Sequence, residues 1–315
     1  MASFLYNACL PFLLRAQNPD GSWGYRPASP SRVEPTSWAL LALAECSDAE
    51  GVARALDAGQ RWLLARQSGD GSWPAGPPGD SASGWPTSLA CIFLLKQRGA
   101  SEPLRRGLHW LSNAWPGDSG WGWRLRRWVS GLGRQFPLGQ DPSLCGWSWN
   151  AGTASWVEPT SYALLALRNA PQDLLSDVAV RRSELGERFL LDRVCDAGGW
   201  NCGNPSVYGV PGQPQVLQTA WALLALRQNK KGAEISRSLN WLEQALPALK
   251  APASLAAGQL CLAAWGIQLP SLEARLERSF ERNRFLDNVV VAAWAALALV
   301  PAPMWLKARR EEGEA

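Results

Sequence analysis

The sequence predicts an all-α chain closed into a single (α/α)6 toroid, in which six outer helices surround six inner ones. Three observations carry that expectation: a tryptophan-centred repeat, a set of Ala- and Leu-rich segments with recurring wording, and the alternation of these with amphipathic segments. The aromatic composition calls for explanation first, because 19 Trp stand beside 7 Phe and 4 Tyr.

Aligning the tryptophans exposes the repeat. Phe12-Leu13 leads to Gln-Asn-Pro-Asp-Gly-Ser-Trp over 17–23, and Trp62-Leu63 leads to Gln-Ser-Gly-Asp-Gly-Ser-Trp over 67–73, with identical spacing. Self-similarity of this kind marks a repeat architecture. Degenerate copies follow: Trp110-Leu111 runs to Gly120-Trp121, Phe189-Leu190 to Gly199-Trp200, and Trp241-Leu242 to a segment without a terminal Gly-x-Trp. The structural reading of the motif is a brace. The Trp caps the end of an outer helix, where its burial contributes roughly 1.5–3 kcal/mol. Gly21 and Gly71 supply the positive-φ turn that sends the chain inwards.

The second kind of segment is apolar on nearly every side. Val-Glu-Pro-Thr-Ser-Trp-Ala-Leu-Leu-Ala-Leu over 33–43 returns as Val-Glu-Pro-Thr-Ser-Tyr-Ala-Leu-Leu-Ala-Leu over 157–167, and segments 85–89, 218–226, 254–265 and 288–299 extend the set. Ala and Leu favour helix, and Pro in the first turn removes an N–H that has no partner there. A helix apolar all round is buried all round. Segments such as 53–67 and 104–115 carry Arg, Gln and His on one face and read as outer, amphipathic helices. Outer helices near residues 3, 55, 103, 180, 236 and 272 make six pairs, and a closed ring needs no capping repeat.

Composition narrows the classes. With 47% hydrophobic and 18% charged residues the chain is too apolar for disorder. A net charge of +4, from 31 basic against 27 acidic residues, gives no reason to expect a nucleic-acid partner. No stretch reaches the roughly 20 apolar residues of a membrane span. The segment 1–15 lacks the charged start of a signal peptide and reads as the first helix. Seven scattered cysteines suit reduced thiols in a cytoplasmic protein better than a disulfide framework. The domain reading is one toroid over 1–303, a long basic-aromatic insertion at 118–156, and a charged tail at 304–315.

Gln17 to Trp23 and Gln67 to Trp73, each with an aromatic-aliphatic pair five residues ahead, resemble the repeat of the squalene-hopene cyclases, oxidosqualene cyclases and protein prenyltransferase β subunits. The resemblance spans nearly the whole chain and implies a ring of parallel inner helices around an apolar funnel that receives an isoprenoid. It implies a ligand bed of Trp38, Tyr162, Trp221 and Trp294 on the inner helices, with Trp147, Trp149 and Trp156 in the loop entering the third. Aromatic faces stabilise carbocations by about 2 kcal/mol or more when dry. The alternative for each is ordinary core.

A class II cyclase protonates an alkene through an Asp-x-Asp-Asp-Thr-Ala acid at the start of an inner helix. Glu34 and Glu158 fall on the middle Asp of that pattern, and Pro35 and Pro159 take its neighbour's place. Asp287, ahead of the sixth inner helix, is a third acid of this kind. The alternative is that each carboxylate complements a helix N-terminus, worth about 0.3–1 kcal/mol. The prenyltransferase zinc site has no counterpart: the one histidine, His109, lies on an outer helix, and Cys195, Asp196 and Cys202 lack a fourth ligand at usual spacing. No metal or cofactor is expected.

Arg124, Arg126, Arg127 and Arg134, interleaved with Trp128 and Phe136, fall in a connection far longer than the 2–8 residues usual between bundle helices. They would hold a diphosphate, rest on an anionic bilayer as a peripheral membrane contact, or form a solvated face. The leading functional expectation is an isoprenoid-processing toroid, with acid-initiated cyclisation of a polyprenyl substrate. The resemblance further implies that a second subunit or self-association completes the site, as in two-domain cyclases. The alternatives are a non-catalytic isoprenoid- or protein-binding scaffold, and a carbohydrate-active barrel with two acids facing one cleft.

Overall fold

The computed structural model describes residues 4–77, 79–97, 101–120, 122, 140–207, 209–228, 232–269, 271–300 and 303. Among them are twelve α-helices. The outer helices are α1 (Leu10–Arg15, entered through a π turn at Leu5–Cys9), α3 (Val52–Ala65), α5 (Glu102–Asn113), α7 (Asp177–Asp192), α9 (Ala233–Ala245) and α11 (Leu272–Asn283). The inner helices are α2 (Val33–Ala44), α4 (Gly84–Lys96), α6 (Val157–Asn169), α8 (Val216–Ala225), α10 (Pro252–Ala264) and α12 (Val289–Leu299). Two short antiparallel hairpins lie in outer-to-inner connections: β1 (Trp73–Pro74) with β2 (Ala82–Ser83), and β3 (Ser206–Val207) with β4 (Val210–Pro211).

The ring closes. Each inner helix packs on the next, from α2 through α4, α6, α8 and α10 to α12, and α12 packs back on α2. Each later outer helix leans on the inner helix before it, while α1 leans mainly on α12, so the two ends of the repeat array meet. The inner helices are buried on both faces; every residue of α2 from Pro35 to Leu43 is buried. The outer helix α3 instead buries one stripe, Val52, Ala55, Gly59 and Leu63. No helix among the described residues is long and apolar enough to cross a membrane.

The tryptophan repeat is the joint of each unit. The indole N–H groups of Trp23, Trp73, Trp147 and Trp200 donate to Leu13 O, Leu63 O, Leu111 O and Leu190 O at 2.7, 2.8, 2.9 and 2.7 Å. These carbonyls belong to the last turns of outer helices, where the i+4 donors run out; Leu63 O, Leu111 O and Leu190 O also accept the cap N–H of Arg66, Ala114 and Arg193, so the indole is a second donor there. The backbone N–H groups of the same residues donate to Thr36, Thr87, Thr160 and Thr219 Oγ1 at 2.9, 2.9, 2.8 and 2.9 Å. One residue thus pins an outer helix end to an inner helix start. Neighbouring units are tied as well. Gln17 and Gln67 Nε2 donate across to Ala55 O (3.0 Å) and Pro103 O (2.8 Å) of the next outer helix. Trp62 and Trp110 Nε1 donate back to Asp20 and Asp70 Oδ2 at 3.0 Å.

The third brace differs from the sequence expectation. Trp121 lies outside the described residues, and Trp147 makes the brace contacts instead. A Cβ on Gly59, Gly107 or Gly186 would come within 2.8, 2.8 and 2.7 Å of Cζ3 of Trp23, Trp73 and Trp147, so the three rings sit against equivalent outer-helix glycines. Residues 114–146 therefore separate the third outer helix from its brace, and Trp147 itself falls within the 118–156 span. Trp147→Ala is expected to cost about 3–5 kcal/mol in urea unfolding, whereas Trp156→Ala, at an exposed site, costs under about 1 kcal/mol. Equal small losses for both would remove Trp147 from the brace set.

Candidate functional site

The braces set the height of the acids. Glu34 and Glu158 each stand two residues before the Thr whose hydroxyl receives the brace N–H, so both carboxyls emerge from the first turns of α2 and α6 at one end of the ring. Both are half-buried. The Tyr25 hydroxyl donates to Glu34 Oε2. The Tyr162 hydroxyl donates to Glu158 Oε1 at 2.9 Å, and Gln218 Nε2 lies 3.5 Å from Glu158 Oε2.

Their electrostatics are coupled. Burial raises the Glu34 carboxyl to about 7, the Tyr25 hydrogen bond opposes that rise, and the negative charge of Glu158 adds to it. Glu158 is also raised by burial, against the two hydrogen bonds it accepts. Tyr25 and Tyr162 are pushed upwards by burial and by the adjacent glutamates, so both stay protonated donors. The pair thus places a carboxyl raised to about 7 within electrostatic reach of a second, also raised, with different hydrogen-bond partners, the unequal environments that separate acid from base.

One turn below the acids lies an aromatic cluster, since Trp38 follows Glu34 and Tyr162 follows Glu158 at i+4. Trp38, Tyr162, Trp221 and Trp294 come from α2, α6, α8 and α12, and all four are buried. The Trp38 and Trp221 rings, from helices on opposite sides of the ring, lie 5.2 Å apart. Trp221–Trp294, Tyr162–Trp221, Trp38–Trp294 and Trp38–Tyr162 follow at 5.2, 5.3, 5.6 and 5.9 Å. These separations are those of edge-to-face and tilted aromatic pairs in contact. The funnel expected from the resemblance is therefore filled at this level: the rings meet on the axis and form a floor. The indole N–H groups of Trp221 and Trp294 are buried there without a hydrogen-bond partner, each costing about 1–3 kcal/mol.

The other residues singled out from the sequence are dispersed. Trp147 is committed to its brace and to a cation–π sandwich in which the Arg182 guanidinium sits 4.1 Å from the rings of both Trp115 and Trp147. Trp149 stacks edge-on against Trp85 at 5.7 Å. Trp156 is exposed, and its backbone pairs with that of Trp147. Asp287 closes a left-handed turn in which residues 284–287 have φ of 49, 56, 56 and 55°, and its carboxylate is 3.3 Å from Arg284 Nε. His109 is exposed on α5. Arg124, Arg126, Arg127, Arg134, Trp128 and Phe136 lie outside the described residues. Tyr25 and Gln218 are the site residues that sequence reasoning missed. Gln218 is adjacent to the anchoring Thr219, a position that could have drawn attention; Tyr25 carries no such signal.

No protein-family model and no curated protein matches this chain. Solved structures resemble it over nearly its full length. Type II terpene cyclase MstE from Scytonema, in complex with geranylgeranyl dihydroxybenzoate, matches with a TM-score of 0.62 at 14% identity, covering 96% of this chain and 98% of that one. A protein from Actinoplanes matches at 0.61 and 15%, covering 96% and 99%. The GH76A α-1,6-mannanase from Salegentibacter matches at 0.59 and 9%, also covering 96% and 99%. At these identities the likeness is one of fold alone: the chain is a helical toroid, an architecture shared by a terpene cyclase and a mannanase.

The raised Glu34 sets a stability signature. Between about 4.5 and 7 the folded state binds the proton more tightly than the unfolded chain. Stability from this group is therefore full below that window and is lost as pH rises through it. Allowing for partial exposure, the loss is on the order of 1–2 kcal/mol. Glu34→Gln should flatten that part of the stability–pH curve and raise the urea midpoint at pH 8. A variant that leaves the slope unchanged contradicts the assignment.

Proposed function

We propose that the chain processes an isoprenoid by acid-initiated cyclisation, with Glu34 as the acid. The observation that carries this reading is the placement of Glu34, hydrogen-bonded by Tyr25 and within electrostatic reach of Glu158, above a floor of four aromatic rings. A carboxylic acid adds a proton to an alkene only when it is held neutral and kept from water; partial burial raises Glu34, and the substrate itself would cover the half-buried carboxyl. Tyr25 holds one oxygen of that acid. The cation left on the chain lies above the aromatic floor, where Trp294 keeps a little exposed surface while Trp38 and Trp221 are fully covered, and the ring quadrupoles stabilise positive charge close by. Glu158, oriented by Tyr162 and Gln218, takes the final proton from carbon.

The filled axis shapes the substrate. It lies across the mouth, above the aromatic floor, instead of threading the ring. The arginines at 124, 126 and 127 would engage a polar or anionic head group from the insertion. MstE, whose chain this one matches over 98% of its length, is named a terpene cyclase at single-toroid size. The reading accordingly needs no second subunit.

A second reading rests on the same pair of acids, because two carboxyls with unequal environments are also the equipment of glycoside hydrolysis. The apolar floor argues for the isoprenoid, since sugar hydroxyls require polar partners.

The test is incubation of the purified protein with squalene, a geranylgeranylated phenol and α-1,6-mannan, with products read by mass spectrometry. The expected result is an isoprenoid product isomeric with its substrate, a rate that falls above about pH 7 as Glu34 ionises, and a loss of about 10²–10⁴-fold in Glu34→Gln. Mannan cleavage alone would select the second reading. No turnover of any substrate, with lipid nevertheless co-purifying, would leave a binding protein.

A further inference from the structure

The turn between α9 and α10 departs from the braced turns, and the departure opens a cleft. Four earlier connections are filled by a brace tryptophan, and the first two also by a Gln amide reaching the next outer helix. The fifth is a 3-10 turn at Leu246–Ala248 that runs almost directly into α10 and contains no Trp. Arg275 of α11 supplies the missing bonds, donating from Nη1 to Leu246 O at 3.3 Å and from Nη2 to Leu249 O. The space beside it is a cleft of about 320 Å3.

Its chemistry is basic. Arg275, Arg278 and Arg282 line it from α11, at the i, i+3, i+7 spacing that shares one helix face, and Lys250 and Ser279 join them. Arg278, Arg282 and Lys250 are exposed. Among the described residues none of these four cations is ion-paired with a carboxylate. Cations gathered without a counter-charge repel one another, and an anion of two or more charges turns that repulsion into binding. Guanidinium forks match phosphate oxygens bidentately, and the Ser279 hydroxyl adds a neutral donor. Pro247, Leu249 and Leu255 give the cleft an apolar side.

We propose that this cleft binds the phosphate or diphosphate group of a phosphorylated molecule whose remainder rests on the apolar side. The site shares no lining residue with the Glu34–Glu158 pair, so it stands independently of the function proposed there. A soluble phosphoester and a phospholipid headgroup offer the same chemistry, and two experimental arms separate them.

In the first arm, pyrophosphate is titrated into the protein by calorimetry at about 0.1 M salt, where surface charge is only partly screened. In the second, the protein is floated with phosphatidylcholine vesicles, with and without phosphatidic acid. Both are repeated on Arg278→Ala/Arg282→Ala, whose exposed positions leave the fold intact, as a urea midpoint checks. The expected result is saturable one-to-one pyrophosphate binding, weakened at least about tenfold in the double variant. Flotation with phosphatidic acid that the double variant loses assigns the site to a lipid headgroup; its absence beside pyrophosphate binding assigns it to a soluble ligand. If neither probe binds, or the double variant binds both as the wild type does, the proposal is overturned.

Discussion

The structure depends on one interaction repeated four times: a buried tryptophan whose indole N–H closes the carbonyl end of an outer helix while its backbone N–H is held by a threonine at the start of an inner helix. The last carbonyls of a helix lose their i+4 donors, and the indole supplies a strong one to each, beside the cap N–H that Leu63 O, Leu111 O and Leu190 O also accept. The brace at the same time fixes the height of the next inner helix. Twelve short helices thereby become a ring with a defined mouth.

That height is what makes a site. Because Thr36 and Thr160 are bound in the same way, Glu34 and Glu158 rise to one level and their charges interact, while Trp38 and Tyr162 fall to the level below, where the ring is narrow enough for four aromatic side chains to touch. The acid pair and the aromatic floor are consequences of register. The raised Glu34 follows from burial and from its neighbour, and Tyr25 limits the rise without cancelling it.

Much of the fold was legible because it rests on local rules: the Gln-x-x-Asp-Gly-Ser-Trp turn, first-turn prolines, and apolar segments alternating with amphipathic ones. In the third repeat the long connection separates Trp147 from its helix, and Gly120-Trp121 lies nearer in sequence, so local spacing alone points to the wrong tryptophan. The spacing from brace to threonine is 13 residues for Trp23 and Thr36, 14 for Trp73 and Thr87 and 19 for Trp200 and Thr219, a range that admits Trp147, 13 residues before Thr160. Glu34 and Glu158 could be picked out as a repeated motif, but their mutual influence depends on ring geometry that no local pattern encodes. The same holds for the aromatic side chains. Sequence shows that they sit on inner helices, and only the diameter of the closed ring shows that they fill its axis.

The most direct test of the account is the titration of Glu34 itself, followed by carbon-13 NMR of the labelled side-chain carboxyl in the wild type and in Glu158→Gln. The account predicts a Glu34 midpoint near 7, as burial and its neighbour require, and a lower one once the charge at position 158 is gone. A Glu34 carboxyl that titrates near 4.5 in both proteins would contradict it, leaving a braced ring without an acid at its mouth.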